Sequence, residues 1–189
     1  MKKIFPYILI AVIVVGFTYY SYKQATKDDE RSLSAADQKM LDISQSPSEL
    51  GNFILSVKQN PSQVIQTNSN LRKMIYSGLY TIEEVENLLN LQRMLFTQDL
   101  LDMNPREFHL LMVQAELEKW KEAKYAIIGS DALAPEYIGD DNSTAIFKVV
   151  FYTNDPSRDI YIQYALVKNK VNLWEIRGWL TVEPFDIVK

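Results

Sequence analysis

Near Ala123 the spacing of apolar residues changes from helical to alternating, and this change constrains the fold more than any other feature of the 189-residue chain. Upstream of it, helix starts are written in capping residues. Ser46-Pro47-Ser48-Glu49 and Asn60-Pro61-Ser62-Gln63 each set a capping side chain before proline at the first helical position, with an acid or amide three residues after the cap. Thr81-Ile82-Glu83-Glu84 and Asn104-Pro105-Arg106-Glu107 repeat the capping-box pattern, so the spacing predicts helices near 47–58, 61–77, 82–103 and 105–122. The third is the most regular, because Ile82, Val85, Leu88, Leu89, Leu95, Phe96, Leu100 and Met103 recur at helical spacing and form one apolar face. In the second, Val64, Leu71 and Ile75 define a face that Asn68 interrupts, and Gly78 is placed to end it.

Downstream, alternation predicts strands near 124–138, 144–154, 159–168 and 172–183. Asp140-Asp141-Asn142-Ser143, Asn154-Asp155-Pro156-Ser157 and Asn169-Lys170 supply turns, so successive strands are expected to pair as an antiparallel meander. Ala145, Phe147, Val149 and Phe151 point one way while Thr144, Lys148 and Tyr152 point the other, the pattern of a sheet with one face on helices. Helices first and strands second give an α+β domain with a four-stranded antiparallel sheet.

The N-terminal region obeys different rules. Lys2 and Lys3 precede an uncharged run from Ile4 to Tyr20, which as a helix spans roughly 25 Å and ends in Phe17, Tyr19 and Tyr20, suited to a membrane interface. The expected organisation is a transmembrane signal anchor at 1–22, a polar stalk at 23–46 with a short helix near Leu33 to Leu41, and the α+β domain at 47–189. A cleaved signal peptide is the rival, and its small-residue cleavage pattern is poor. A short basic tail before a first apolar segment places the domain outside the cytoplasm, although the basic residues after the run, Lys23, Lys27 and Arg31, balance those before it. The absence of cysteine excludes a lipoprotein, disulfides, thiolate-bound zinc and a thiol nucleophile. A net charge of -4 argues against nucleic acid as a partner.

The ordered phrases Pro61-Ser62-Gln63-Val64, Tyr80-Thr81-Ile82-Glu83-Glu84, Leu95-Phe96-Thr97-Gln98-Asp99-Leu100-Leu101 with Asn104-Pro105, and Leu173-Trp174-Glu175-Ile176-Arg177-Gly178-Trp179 carry a resemblance. Helices followed by a curved antiparallel sheet with such a closing phrase resemble the nuclear-transport-factor-2-like, or cystatin-like, superfold. More closely, the chain resembles an uncharacterised family of small single-span membrane proteins of Gram-positive bacteria. That resemblance implies topology and membrane tethering and transfers no functional residue.

Candidate chemistry is sparse. His109 is the single histidine, so a His–His metal pair is impossible, and its place early in a helix beside Phe108 and Leu110 suits a structural role. Asp99 and Asp102 share a helix face, and Asp140 and Asp141 lie in a turn; neither pair has the ligand spacing of a metal site. Asn142-Ser143-Thr144 is a short sequon of the kind chance supplies. No Gly-rich phosphate loop or nucleophile elbow occurs, and no cofactor is expected.

Two functional readings follow. In the first, the domain is a non-catalytic interaction or assembly module at a membrane, using a sheet face of Tyr161, Gln163, Arg177 and Trp179 for a homodimer or a partner in a membrane complex. In the second, Tyr125, Phe147, Phe151, Tyr164 and Trp174 line an enclosed ligand pocket of several hundred Å³, in the manner of isomerases of the resembled superfold. Glu175 or Asp131 would supply the acid of such a pocket, although alternation makes Glu175 an exposed partner of Arg177.

Overall fold

A computed structural model of the chain describes residues 35–139 and 141–187, apart from the side chains at 47 and 48. The expected anchor at 1–22, the first part of the stalk and Asp140 lie outside the described residues. No helix among the described residues is long and apolar enough to cross a membrane.

Six helices are described: α1 (Ala35–Gln45), α2 (Pro47–Val57), α3 (Pro61–Ile75), α4 (Ile82–Arg93), α5 (Gln98–Met103) and α6 (Arg106–Glu122). They precede strands β1 (Ile127–Ala132), β2 (Glu136–Ile138), β3 (Thr144–Thr153), β4 (Ile160–Lys168) and β5 (Trp174–Thr181), confirming the α+β class. Local chemistry accounts for most helix starts. Asn60 accepts from the Ser62 amide at 2.9 Å with Pro61 next to it, and Thr81 and Glu84 close a reciprocal capping box. Gly78, at φ +75°, turns the chain after α3.

Four expectations need correction. The helix expected at 82–103 is two helices, because the backbone between them pairs with the sheet. The Thr97 amide donates to the Ile176 carbonyl at 3.0 Å and the Ile176 amide to the Leu95 carbonyl at 2.8 Å. Thr97 then caps α5 by accepting from the Leu100 amide. Asn104 does not cap α6; its Nδ2 donates to the Leu100 carbonyl at 3.0 Å, and its own carbonyl accepts from Arg93 at 2.7 Å. The strand expected at 124–138 is broken at Leu133-Ala134-Pro135, where proline has no N–H for the ladder, so the sheet has five strands instead of four. Finally, the short helix expected near Leu33 to Leu41 of the stalk forms α1 over Ala35–Gln45, and it is part of the domain instead of a tether: it buries Leu41 and Ile43 and packs on α4, with Asp37 and Lys73 meeting at 3.2 Å.

The strand order is β1-β3-β4-β5, with β2 pairing the other end of β3, so the antiparallel meander holds around one broken strand. The helices cover one face. Ala145, Phe147, Val149, Phe151, Ile162, Tyr164 and Leu166 are buried there against Val64, Leu71, Ile75, Leu88 and Leu89 of α3 and α4. Each such large apolar side chain contributes about 2 kcal/mol on burial, enough to override the polar interruption in α3. The opposite face is partly covered by the segment after β5: the Val182 amide donates to the Tyr161 carbonyl, and Phe185 lies edge-on to Tyr161 at 5.2 Å.

One irregularity decides the site. Between β4 and β5 the register runs Leu166↔Ile176, then Ala165↔Gly178, leaving Arg177 as the extra residue of a bulge. The side-chain alternation of β5 reverses there.

Candidate functional site

The five aromatic residues expected to line one pocket are dispersed. Phe147 and Phe151 are core residues, and Trp174 packs 6.2 Å from Tyr137 under the Lys168 ammonium. Tyr125 stands edge-on to Trp120 with the Arg158 guanidinium 4.3 Å above its ring. Only Tyr164 faces the space between α4 and the sheet, and that space is filled except for a pocket of about 20 Å³. Neither acid considered as its catalytic partner reaches it. Asp131 accepts from the Tyr152 hydroxyl at 3.1 Å in an open cleft beside β1. Glu175 pairs with Lys58 at 2.8 Å and accepts from Asn169. Its expected partner Arg177 is exposed in the bulge.

The expected interface set is also divided. Tyr161 is half-covered by Phe185, Gln163 lies opposite Lys148 and Leu180, and Arg177 is the bulge residue. Trp179 belongs to the other face, because the bulge shifts the alternation by one and sets it opposite Tyr164, 6.2 Å away, and 5.5 Å from Phe96. The remaining acids do ordinary work. Asp99 and Asp102 are exposed on α5, and the side chain of Ser143, together with its amide, holds the Asp141 carboxyl below the usual range within the turn. Asn142, of the sequon, occupies that turn at φ +50°, a conformation asparagine tolerates well. No group of three or more potential metal ligands occurs among the described residues.

What the structure does assemble is a polar cluster around Tyr164. Asn68, on α3, is buried and accepts from Gln92 of α4 at 2.9 Å, which leaves its Nδ2 without a partner. The Tyr164 hydroxyl and the Arg72 Nε are likewise buried without a hydrogen bond of normal geometry. Burial raises the Tyr164 pKa, opposed by the positive charge of Arg72 and by the nearby Asn68 amide, so the phenol stays protonated. Arg72 has no carboxylate partner among the described residues; its guanidinium lies 5.3 Å from the Tyr76 ring and 5.4 Å from that of Phe151.

His109, one turn into α6, closes this pocket. Its Nδ1 is 3.2 Å from Arg93, which can only donate, so the ring proton is assigned to Nε2. Burial and the charges of Arg93 and Arg72 depress its pKa, which keeps the imidazole neutral near pH 7. Sequence reading found Asn68 only as a flaw in an apolar face and did not find Gln92 or Arg72. The available signal was spacing: Asn68 and Arg72 are four residues apart on one helix, a buried polar pair on a face that otherwise packs.

The pocket opens into a groove of about 570 Å³ bordered by Arg72, Tyr76, His109, Met112, Trp120 and Trp179. In this groove Glu116 is held by the Tyr76 hydroxyl at 2.5 Å. Of its lining, Met112 on α6 and Trp179 on β5 are exposed; Leu180, the next residue of β5, is exposed on the other face of the sheet. β5 is an edge strand. Its first half is covered by backbone bonds with Lys58, Leu95 and Thr97, whereas among the described residues Gly178–Thr181 make no backbone hydrogen bond to any element but β4.

A family model described as Domain of unknown function (DUF6715) matches residues 1–179 of the chain. No curated protein and no solved structure matches it.

Proposed function

The chain belongs to this family, and from that premise we propose that it is a non-catalytic assembly module that pairs with a second copy of itself through the open half of β5. The single observation that carries the reading is the free edge at Gly178–Thr181, flanked by exposed Trp179 and Leu180. An uncovered strand edge with apolar side chains is a template for another strand, and two identical edges meet antiparallel about a two-fold axis with every contact made twice. The sheet face first expected to serve this purpose is less suited, since Phe185 already lies on Tyr161. The helices-then-sheet order supports placing the domain in the nuclear-transport-factor-2-like superfold. The uncharged run Ile4–Tyr20 supports a membrane anchor with the domain outside the cytoplasm; release of the full chain from membranes by alkaline carbonate would remove the anchor from this reading.

The chain's lack of cysteine makes the test direct. A Leu180→Cys variant of the full chain carries a single thiol beside the proposed two-fold axis. It should oxidise to a disulfide-linked dimer, while a control Val171→Cys, 70% exposed in the turn at the opposite end of β5, should not. A chain that is monomeric at all concentrations by light scattering, with no Leu180→Cys dimer, rejects the reading.

A further inference from the structure

The Tyr164 pocket has a chemical bias that strand pairing does not use. The buried groups that line it without a hydrogen bond of normal geometry are the Asn68 Nδ2 and the Arg72 Nε, which can only donate, and the Tyr164 hydroxyl, which lies near both and keeps a proton to donate, with Asn68 and Tyr164 each 1% exposed. The His109 ring, carrying its proton on Nε2, borders the same space. Of the acceptors in the cluster, the Asn68 Oδ1 is taken by Gln92, and the Tyr164 oxygen is one acceptor for more donor hydrogens than it can satisfy. Burying donors without partners is costly, and a folded core retains such groups where something else completes them. The neighbourhood is also positive, since Arg72 has no carboxylate partner among the described residues and Arg93 donates to a carbonyl and to His109. The groove acid, Glu116, accepts from Tyr76.

We propose that this pocket binds the carboxylate of a small organic acid whose apolar body lies in the groove between Trp120 and Trp179. At about 20 Å³ the pocket admits a single oxygen, so the rest of the ligand stands in the groove, whose largely apolar aromatic walls suit a carboxylate on an apolar body better than a fully hydrated phosphate or sulfate. One oxygen accepts from Tyr164 and Asn68 and the other faces Arg72, a charge-assisted pairing. The groove, about 570 Å³ with Tyr76, Met112, Trp120 and Trp179 on its walls, accommodates an aromatic or short aliphatic body. The site and the proposed dimer edge share Trp179, but the polar groups that would hold the carboxylate lie on α3, α6 and β4 and take no part in strand pairing between copies.

Titration calorimetry of the full chain with phenylacetate and hexanoate tests this, with phenylacetamide and sulfate as controls of like body and like charge. The acids should bind saturably and the controls should not. Arg72→Gln should weaken acid binding about tenfold or more, in line with loss of a charged hydrogen bond. Tyr164→Phe should weaken it too while leaving the melting temperature unchanged or higher, because its hydroxyl makes no hydrogen bond of normal geometry in the free protein. Equal binding of phenylacetate and phenylacetamide, undiminished binding by both variants, or absence of acid binding at millimolar concentration, which would leave the pocket to a water molecule, each overturns the proposal.

Discussion

Lys58 and Glu175 meet at 2.8 Å with side chains 11% and 17% exposed, so each holds the other's charge out of bulk water. Removing one partner strands the other. Lys58→Met is expected to cost about 3 kcal/mol in urea unfolding, and Lys58→Met with Glu175→Gln to cost less than the single change; a single variant within 0.5 kcal/mol of the parent would show that the pair contributes little. His109 gives a second residue-scale prediction. Its pKa is depressed below 6.5 by burial and by Arg93 and Arg72, so between the two values the unfolded chain binds a proton that the folded chain does not. Stability due to this residue is therefore complete above pH 6.5 and is lost as pH falls below it. Melting temperatures should decline less steeply from about pH 7.5 to 5 in His109→Gln than in the parent, and equal slopes would contradict the assignment. At this scale the sequence was a partial guide. The place of His109 early in a helix was legible from the residues around it, but the partner of Glu175 was not, because Lys58 lies 117 residues away and only folding brings it near.

Elements were more legible where their causes are local. The capping box of Thr81 and Glu84 forms as its spacing implies, and Thr81→Ala should destabilise the protein by about 1 kcal/mol, measured by thermal or urea unfolding. An unchanged midpoint would mean that α4 is held by packing alone. Two features escaped periodicity because their causes are distant. Leu95, Phe96, Leu100 and Met103 continue the helical spacing past Arg93, yet the chain leaves the helix to bond the edge of β5 at Ile176. The bulge at Arg177 has no signature beyond the adjacent Gly178, and it carries Trp179 from the face of Gln163 to the face of Tyr164. A one-residue change in register thus dismantled the expected interface set and built the wall of a different groove.

For the whole molecule, the change of period near Ala123 was sufficient to read an α+β fold, since helix-before-strand order and short turns leave few ways to pack. A short helix near Leu33 to Leu41 was legible, but its packing on the domain was not, because its two buried residues, Leu41 and Ile43, are too few to mark a core helix by composition. The reading of function depends on what the fold leaves open: a filled core, a small pocket of donors, and an uncovered strand edge. The most direct test of self-pairing is amide hydrogen exchange of the full chain at Gly178–Thr181, followed as a function of protein concentration. Pairing of two copies predicts that exchange at these amides slows as concentration rises while solvent-facing amides in loops elsewhere are unaffected. Exchange that stays fast and independent of concentration would contradict it.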